Sequence, residues 1–310
     1  MRKGLVLKST GSFYSVRDTK TKEVYSCNVR GKLRIQGIKS TNPVAVGDFV
    51  EYEISDNAKT GVIKDVLERK NYIIRKSTNL SKQTHILAAN IDQAIIMATI
   101  AYPETYTVFI DRFLVTAEAY RIPAKLIFNK VDLYNEKQLD YLNELIKIYT
   151  HAGYECISTS VKNKTNTDKI KNLLQDKTTL IAGNSGVGKS SLINLIDTGL
   201  ALKISEISKY HKSGKHTTTF AEMFELSIGG FIIDTPGIRG FGLHDIPDEE
   251  LFHFFPEIFT AAENCKYHNC KHVHEPGCAV KEAVEQGKVS QLRYENYLNI
   301  LFNADTKHRL

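Results

Sequence analysis

The run Gly183-Asn184-Ser185-Gly186-Val187-Gly188-Lys189-Ser190 fits the pattern glycine, four residues, then Gly-Lys-Ser. Glycines at this spacing let the backbone turn successive N–H groups inward around phosphate oxygens. Lys189 is placed to reach β- and γ-phosphates, and the Ser190 hydroxyl to ligate Mg²⁺. A second run, Asn129-Lys130-Val131-Asp132, offers a carboxylate that can accept two hydrogen bonds from the N1–H and N2–H₂ edge of guanine. Adenine has no matching donor pair, so such a site rejects it strongly. Asn129 can hold neighbouring loops or the O6/N7 edge of the base, and the Lys130 stem can lie over its ring. A third run, Asp234-Thr235-Pro236-Gly237, puts a carboxylate and a glycine N–H where Mg²⁺ and a γ-phosphate are met.

A separate chemistry sits near the C-terminus. Cys265, Cys270, His272 and Cys278 fall within one short polar stretch. Three thiolates and an imidazole suit a closed tetrahedral Zn²⁺ site, which is structural because no position is left for water. His268 and His274 are alternative nitrogen donors. Five cysteines in the whole chain are too few for a disulfide scaffold.

These residues need elements to position them. From about residue 86, apolar runs alternate with stretches of helical periodicity. The runs are Ala94–Ile100, Ala124–Phe128, Cys156–Ser158, Thr179–Ala182 and Phe231–Ile233; the helical stretches are Val108–Tyr120, Glu136–Thr150, Thr167–Gln175 and Lys189–Ile196. This alternation predicts an α/β domain with a parallel sheet covered on both faces. Each nucleotide motif follows a predicted strand, where ligands of such sheets bind. Before this region, Gly4–Lys8, Gly11–Arg17, Val24–Val29, Phe49–Ile54 and Thr60–Val66 read as five short strands. They predict a small closed β-barrel, of the oligonucleotide-binding (OB) type or an SH3-like one. The tail is mainly helical, around Ala279–Gln286 and Ser290–Phe302. The predicted domains are residues 1–75, 76–242 and 243–310.

Charge separates the same parts. Residues 1–82 hold 17 Lys and Arg against 8 Asp and Glu, while the whole chain of 310 residues carries only +6. A basic barrel is the footprint of a nucleic-acid-binding module, although a solvated basic surface has the same composition. No apolar run approaches the roughly 18 residues of a membrane span. Met1–Lys8 has no long apolar core and no cleavage site, so no secretory signal is read and a cytoplasmic location is expected.

The order of motifs is Asn-Lys-x-Asp, then phosphate loop, then Asp-x-x-Gly, a circular permutation of the usual GTPase order. In this the chain resembles the circularly permuted bacterial GTPases of the ribosome small subunit-dependent GTPase A family, from barrel to zinc-binding tail. The resemblance implies GTP hydrolysis with Mg²⁺, one structural Zn²⁺, action in late maturation of the small ribosomal subunit, contacts to its rRNA, release on hydrolysis, and a monomer. It also implies guanine contacts at Ser160, Val161 and Lys162, and completion of the phosphate site by Ser191. The switch threonines map onto Thr217, Thr218 and Thr219. Ile238 stands where Ras-type GTPases carry the glutamine that orients water, so His216, beside the switch threonines, is the local candidate for that role. Two rival classes remain: a P-loop ATPase or kinase, against which Asp132 argues, and an RNA-binding assembly factor with a structural nucleotide.

Overall fold

The computed structural model describes residues 1–29, 43–55, 60–76, 84–198, 200, 221–234 and 246–302. Strands β1 (Arg2–Ser9), β2 (Tyr14–Asp18), β3 (Val24–Val29), β4 (Phe49–Ile54) and β5 (Thr60–Val66) come first. They neighbour in the order β1-β2-β3-β5-β4, and β4 pairs back onto β1. This closed order decides for the OB-type barrel over the SH3-like one. Alternate residues point inward, so Val6, Tyr14, Val16, Cys27, Val50, Tyr52 and Ile63 form the barrel core. Gly4 allows close strand approach; a Cβ there would lie 2.3 Å from the Val16 side chain. The second strand starts later than its apolar pattern predicts, because Gly11 turns at φ +83° and the Thr10 N–H closes on the Phe13 carbonyl at 2.9 Å.

Next come β6 (Tyr72–Lys76) and β7 (Thr84–Ala89), an antiparallel pair. The alternating region follows as β8 (Gln93–Ala98), α1 (Thr107–Ala119), β9 (Ala124–Phe128), α2 (Glu136–His151), β10 (Glu155–Ser158), α3 (Thr167–Leu174), β11 (Thr178–Ala182), α4 (Lys189–Ile196), β12 (Glu222–Glu225) and β13 (Phe231–Asp234). The tail holds α5 (Pro256–Ala262), α6 (Ala279–Glu285) and α7 (Gln291–Phe302).

The chain divides into two compact units. The first comprises residues 1–93, 171–181 and 190–238. In it β1 pairs with β12, β12 runs antiparallel to β13, and β13 runs parallel to β11. Ion pairs Lys8–Glu222 at 3.0 Å and Arg17–Glu225 at 2.6 Å lie along this seam. The barrel therefore continues edge-on into the strand that ends at Asp234.

The second unit comprises residues 94–170, 182–189 and 239–310. Here β8, β9 and β10 form a parallel sheet with β9 in the middle. Every residue of β8 is buried, as expected for a parallel strand covered on both faces. A capping box starts α2: the Asn135 Oδ1 accepts from the Gln138 N–H, and the Gln138 Oε1 from the Asn135 N–H, both at 3.0 Å. Val115 of α1 shares one hydrophobic core with Leu251, Phe255, Ile258, Tyr297 and Ile300 of the tail. The tail thus forms a core of its own that extends onto α1 through Val115.

Candidate nucleotide site and candidate metal centre

The phosphate loop is the turn between β11 and α4. Gly183, Gly186 and Gly188 take φ of +145°, +85° and +104°, a range L side chains rarely adopt. Space also demands glycine: a Cβ at Gly183 would lie 2.3 Å from the Met97 carbonyl, and one at Gly188 2.4 Å from the Asn129 amide nitrogen. Between them Val187 is buried, while Ser185 and Gly186 are exposed on the outer side of the turn. The Lys189 ammonium donates to the carbonyls of Gly183 at 2.5 Å and Asn184 at 2.9 Å. It therefore lies folded over the loop, within reach of any anion held there. Ser190 and Ser191 are exposed in the first turn of α4.

Asn129, directly after β9, is 2 % exposed. Its amide donates to the Val187 carbonyl at 2.9 Å, and its Oδ1 accepts from the Val161 N–H at 3.2 Å. Its own N–H is held by the Ala98 carbonyl at 2.9 Å. One side chain thus ties the phosphate loop to the loop after β10, and its backbone ties both to the end of β8. These bonds fit the structural one of the two roles that the sequence allows Asn129. The Tyr134 hydroxyl braces the turn, donating to the Asn129 carbonyl at 2.6 Å.

Lys130 adopts φ +67°, and Asp132 follows in a short 3-10 turn. Asp132 Oδ1 accepts from the Ser160 hydroxyl at 2.5 Å. That hydroxyl oxygen in turn accepts from the Asn163 N–H at 3.0 Å. The Ser160-Val161-Lys162 loop therefore orients the carboxylate directly, a contact that spacing alone could not reveal. Lys162 is exposed. The backbone of Asp234 ends β13, beside β11 in parallel register with Leu180 opposite Ile233. Its side chain, Gly237, Ile238, His216, Thr217, Thr218 and Thr219 lie outside the described residues.

In the tail, one donor atom each from Cys265, Cys270, His272 and Cys278 lies within 4.8 Å of every other. His272 Nδ1 stands 3.6 Å from the Cys265 sulfur and 3.5 Å from that of Cys278, which are 4.0 Å apart. A tetrahedron with metal–sulfur bonds of about 2.3 Å has edges of roughly 3.8 Å, so the donor set fits a tetrahedral ion. Burial, with the Cys278 and Cys265 sulfurs nearby, pushes the Cys270 thiol up to about 12. Burial also lowers the His272 pKa, favouring the neutral imidazole a metal requires. His268 and His274 are exposed and lie outside the cluster, so among the three histidines His272 is the one grouped with the cysteines.

The ligand loop is shaped by Glu275. Burial opposes its ionisation, but backbone N–H groups of Lys271, Val273 and His274 donate to it and hold its carboxyl at about 2. From α7, the Tyr294 and Tyr297 hydroxyls donate to the carbonyls of His272 at 2.6 Å and Lys271 at 2.8 Å.

Sequence reasoning missed what fixes this helix to α1. Arg293, 1 % exposed, donates to Asp111 at 2.5 Å and to both oxygens of Glu257 at 2.7 and 3.0 Å. Asn296 adds a bond to the other Asp111 oxygen at 2.6 Å. The available signal was Asp111 itself, a carboxylate inside the apolar run Phe109–Val115.

Known proteins match this arrangement along its whole length. The family model described as RsgA GTPase matches residues 66–244, and the one described as RsgA N-terminal domain matches residues 3–63. A protein of Bacteroides thetaiotaomicron named small ribosomal subunit biogenesis GTPase RsgA 2 is 56% identical over 299 residues, covering 96% of each chain. One from Christiangramia forsetii, named small ribosomal subunit biogenesis GTPase RsgA, is 54% identical over 309 residues, covering 99% of this chain and 98% of the other. Among solved structures, YjeQ from Thermotoga maritima aligns with a TM-score of 0.79 at 39% identity, covering 97% of both chains. YloQ, described as a circularly permuted GTPase, aligns at 0.76 with 30% identity, covering 100% of this chain and 97% of that one. The matches to the barrel and to the stretch that carries the nucleotide motifs, together with identities above 50% over nearly the whole chain, show that the chain belongs to the RsgA GTPase family.

Proposed function

We propose that this GTP-hydrolysing enzyme acts in late maturation of the small ribosomal subunit, binds its rRNA, is stimulated by it and leaves after hydrolysis. The relatives named as small ribosomal subunit biogenesis GTPases support the process. The observation that carries the nucleotide reading is Asn129, whose one amide joins the phosphate loop to the loop that orients Asp132.

In this reading, backbone N–H groups from Gly183 to Gly188 cradle the phosphates and Lys189 leaves its loop carbonyls for the β- and γ-oxygens. Asp132 reads the guanine N1–H and N2–H₂ edge, Lys130 covers the ring, and the Val161 and Lys162 segment closes over the base. Mg²⁺ bound with the nucleotide neutralises phosphate charge, and Ser190 and Asp234 are the residues assigned to it. Thr217, Thr218, Thr219 and Gly237 meet the γ-phosphate. His216 orients the attacking water, since Ile238 has no hydrogen-bonding group.

The metal is Zn²⁺, held by Cys265, Cys270, His272 and Cys278 in a structural role. The barrel supplies the RNA contacts: Lys3, Lys20, Lys22 and Lys64 are exposed on it, together with Phe13 and Phe49. Cations and aromatic faces are the two components of sequence-tolerant RNA binding. The working parts are residues 1–75, 76–242 and 243–310, in a cytoplasmic monomer. Among the described residues no helix is long and apolar enough to cross a membrane.

The test of the nucleotide assignment is competition binding. GTP and GDP should displace a guanine probe, while ATP should not. Asp132→Asn should lose GTP affinity and gain xanthosine triphosphate, whose 2-oxo group accepts from the new amide. Equal competition by ATP, or unchanged GTP affinity in the variant, would return the site to a general P-loop enzyme.

A further inference from the structure

After β8 the chain turns through Thr99–Tyr106 before entering α1. The turn is tied to itself. The Thr99 N–H donates to the Thr105 hydroxyl at 3.2 Å, the Thr105 N–H to the Thr99 carbonyl at 2.8 Å, and the Thr99 hydroxyl to the Pro103 carbonyl.

The tip of this turn reaches both nucleotide motifs. The Lys130 ammonium donates to the Tyr102 carbonyl at 2.5 Å. A Cβ on Gly186 would lie 3.4 Å from Pro103 Cδ, so Pro103 packs against the phosphate loop. Tyr102 is held at φ +59°, a conformation bulky residues rarely adopt, and is 63% exposed. No nucleotide motif in the sequence includes this residue.

The position has a chemical meaning once the two contacts are taken together. Lys130 marks the base end of the site, and Gly186 belongs to the phosphate cradle. A residue whose carbonyl touches the first, and whose neighbour touches the second, stands between base and phosphates. What lies between them in a nucleotide is the sugar. Building from that juxtaposition, we propose that the Thr99–Tyr106 turn is the ribose-side wall of the nucleotide site and that the Tyr102 ring packs on the sugar. The proposal rests on the guanine-nucleotide reading of Asp132 and the phosphate loop.

The role is binding, shared by substrate and product, since the sugar does not change during hydrolysis. Removing the ring should therefore cost GTP and GDP alike. Tyr102→Gly is the informative variant. It deletes the ring, keeps the carbonyl that Lys130 uses, and suits a positive φ.

In the full-length chain, Tyr102→Gly should weaken GTP and GDP equally, by about three- to tenfold, the range expected for one aromatic contact. KM for GTP should rise by the same factor, with kcat at saturation falling less than twofold. Tyr102→Phe should restore the affinity. A guanine triphosphate with an acyclic chain in place of ribose should bind wild type and Tyr102→Gly alike, because the partner of the ring is missing from both. Affinity for GTP within a factor of two of wild type, or the same loss with the acyclic analogue, would overturn the proposal. Asp132→Asn measured in parallel separates the two levels. If it loses GTP while Tyr102→Gly does not, only the sugar contact fails; if it also keeps GTP, the guanine reading fails with it.

Discussion

Asn129 sits where three chain segments converge, and a single buried amide satisfies donors and acceptors from two of them. A buried polar side chain is tolerated only when so paired. The geometry makes Asn129 a strut, and in the proposed reading Asp132 recognises the base. Hydrolysis needs one more group, to position water. His216→Ala should bind GTP and the small subunit but cleave GTP about 10²-fold more slowly in the subunit complex, the usual cost of losing a general acid–base or positioning group. Single-turnover cleavage with saturating subunits measures this; a rate within about twofold of wild type, under 0.5 kcal/mol of barrier, moves the role to a ribosomal group. At this scale the glycine-bounded turn at 183–190, the Asn129–Asp132 turn and the Cys/His cluster were legible because such motifs fix residue type and spacing. The Ser160–Asp132 bond and the Tyr102 carbonyl contact were not, because both join residues far apart in sequence through backbone paths no local pattern encodes.

At the scale of elements, two stabilising devices hold the tail. One, under the proposed function, is the cluster of Cys265, Cys270, His272 and Cys278 with its metal. Full-length protein should contain about one Zn²⁺ per chain, and Cys270→Ala should lose it, leave residues 246–302 sensitive to protease and retain most GTP binding. Elemental analysis decides; full zinc retention by the variant would refute the ligand set. The other device is Arg293, which is also ringed by Phe255, Tyr149 and Tyr154 with guanidinium-to-centroid distances of 4.7, 5.6 and 5.7 Å. Arg293→Met would leave Asp111 and Glu257 buried without their cation. Breaking such a buried pair costs about 3–5 kcal/mol, so urea unfolding followed in the tail should shift by that order. A loss below about 1 kcal/mol would mean the network adds little.

Elements with strong periodicity were read within a residue or two: Ala124–Phe128 and Lys189–Ile196 match their predicted ranges. Those missed had weak local signals. The strands β6 and β7 lie in a stretch rich in Lys and polar residues, Glu222–Glu225 spans only four residues, and α5 opens on Pro256, which reads as a break although proline suits the first turn of a helix.

At the scale of the whole molecule, the net positive charge is concentrated in the first 82 residues, and the nucleotide motifs and the Cys/His cluster lie in the rest. Under the proposed function, such a layout would bring the enzyme to RNA by long-range attraction, strengthened at low salt. Under the proposed function, the small subunit triggers hydrolysis. Steady-state GTP turnover of the full-length protein, alone and with purified small or large ribosomal subunits, tests this trigger. Turnover should be slow alone, rise about a hundredfold or more with small subunits, as when a missing transition-state group is supplied from outside, and stay slow with large subunits. The same rate in all three reactions would rule out the small subunit as the trigger.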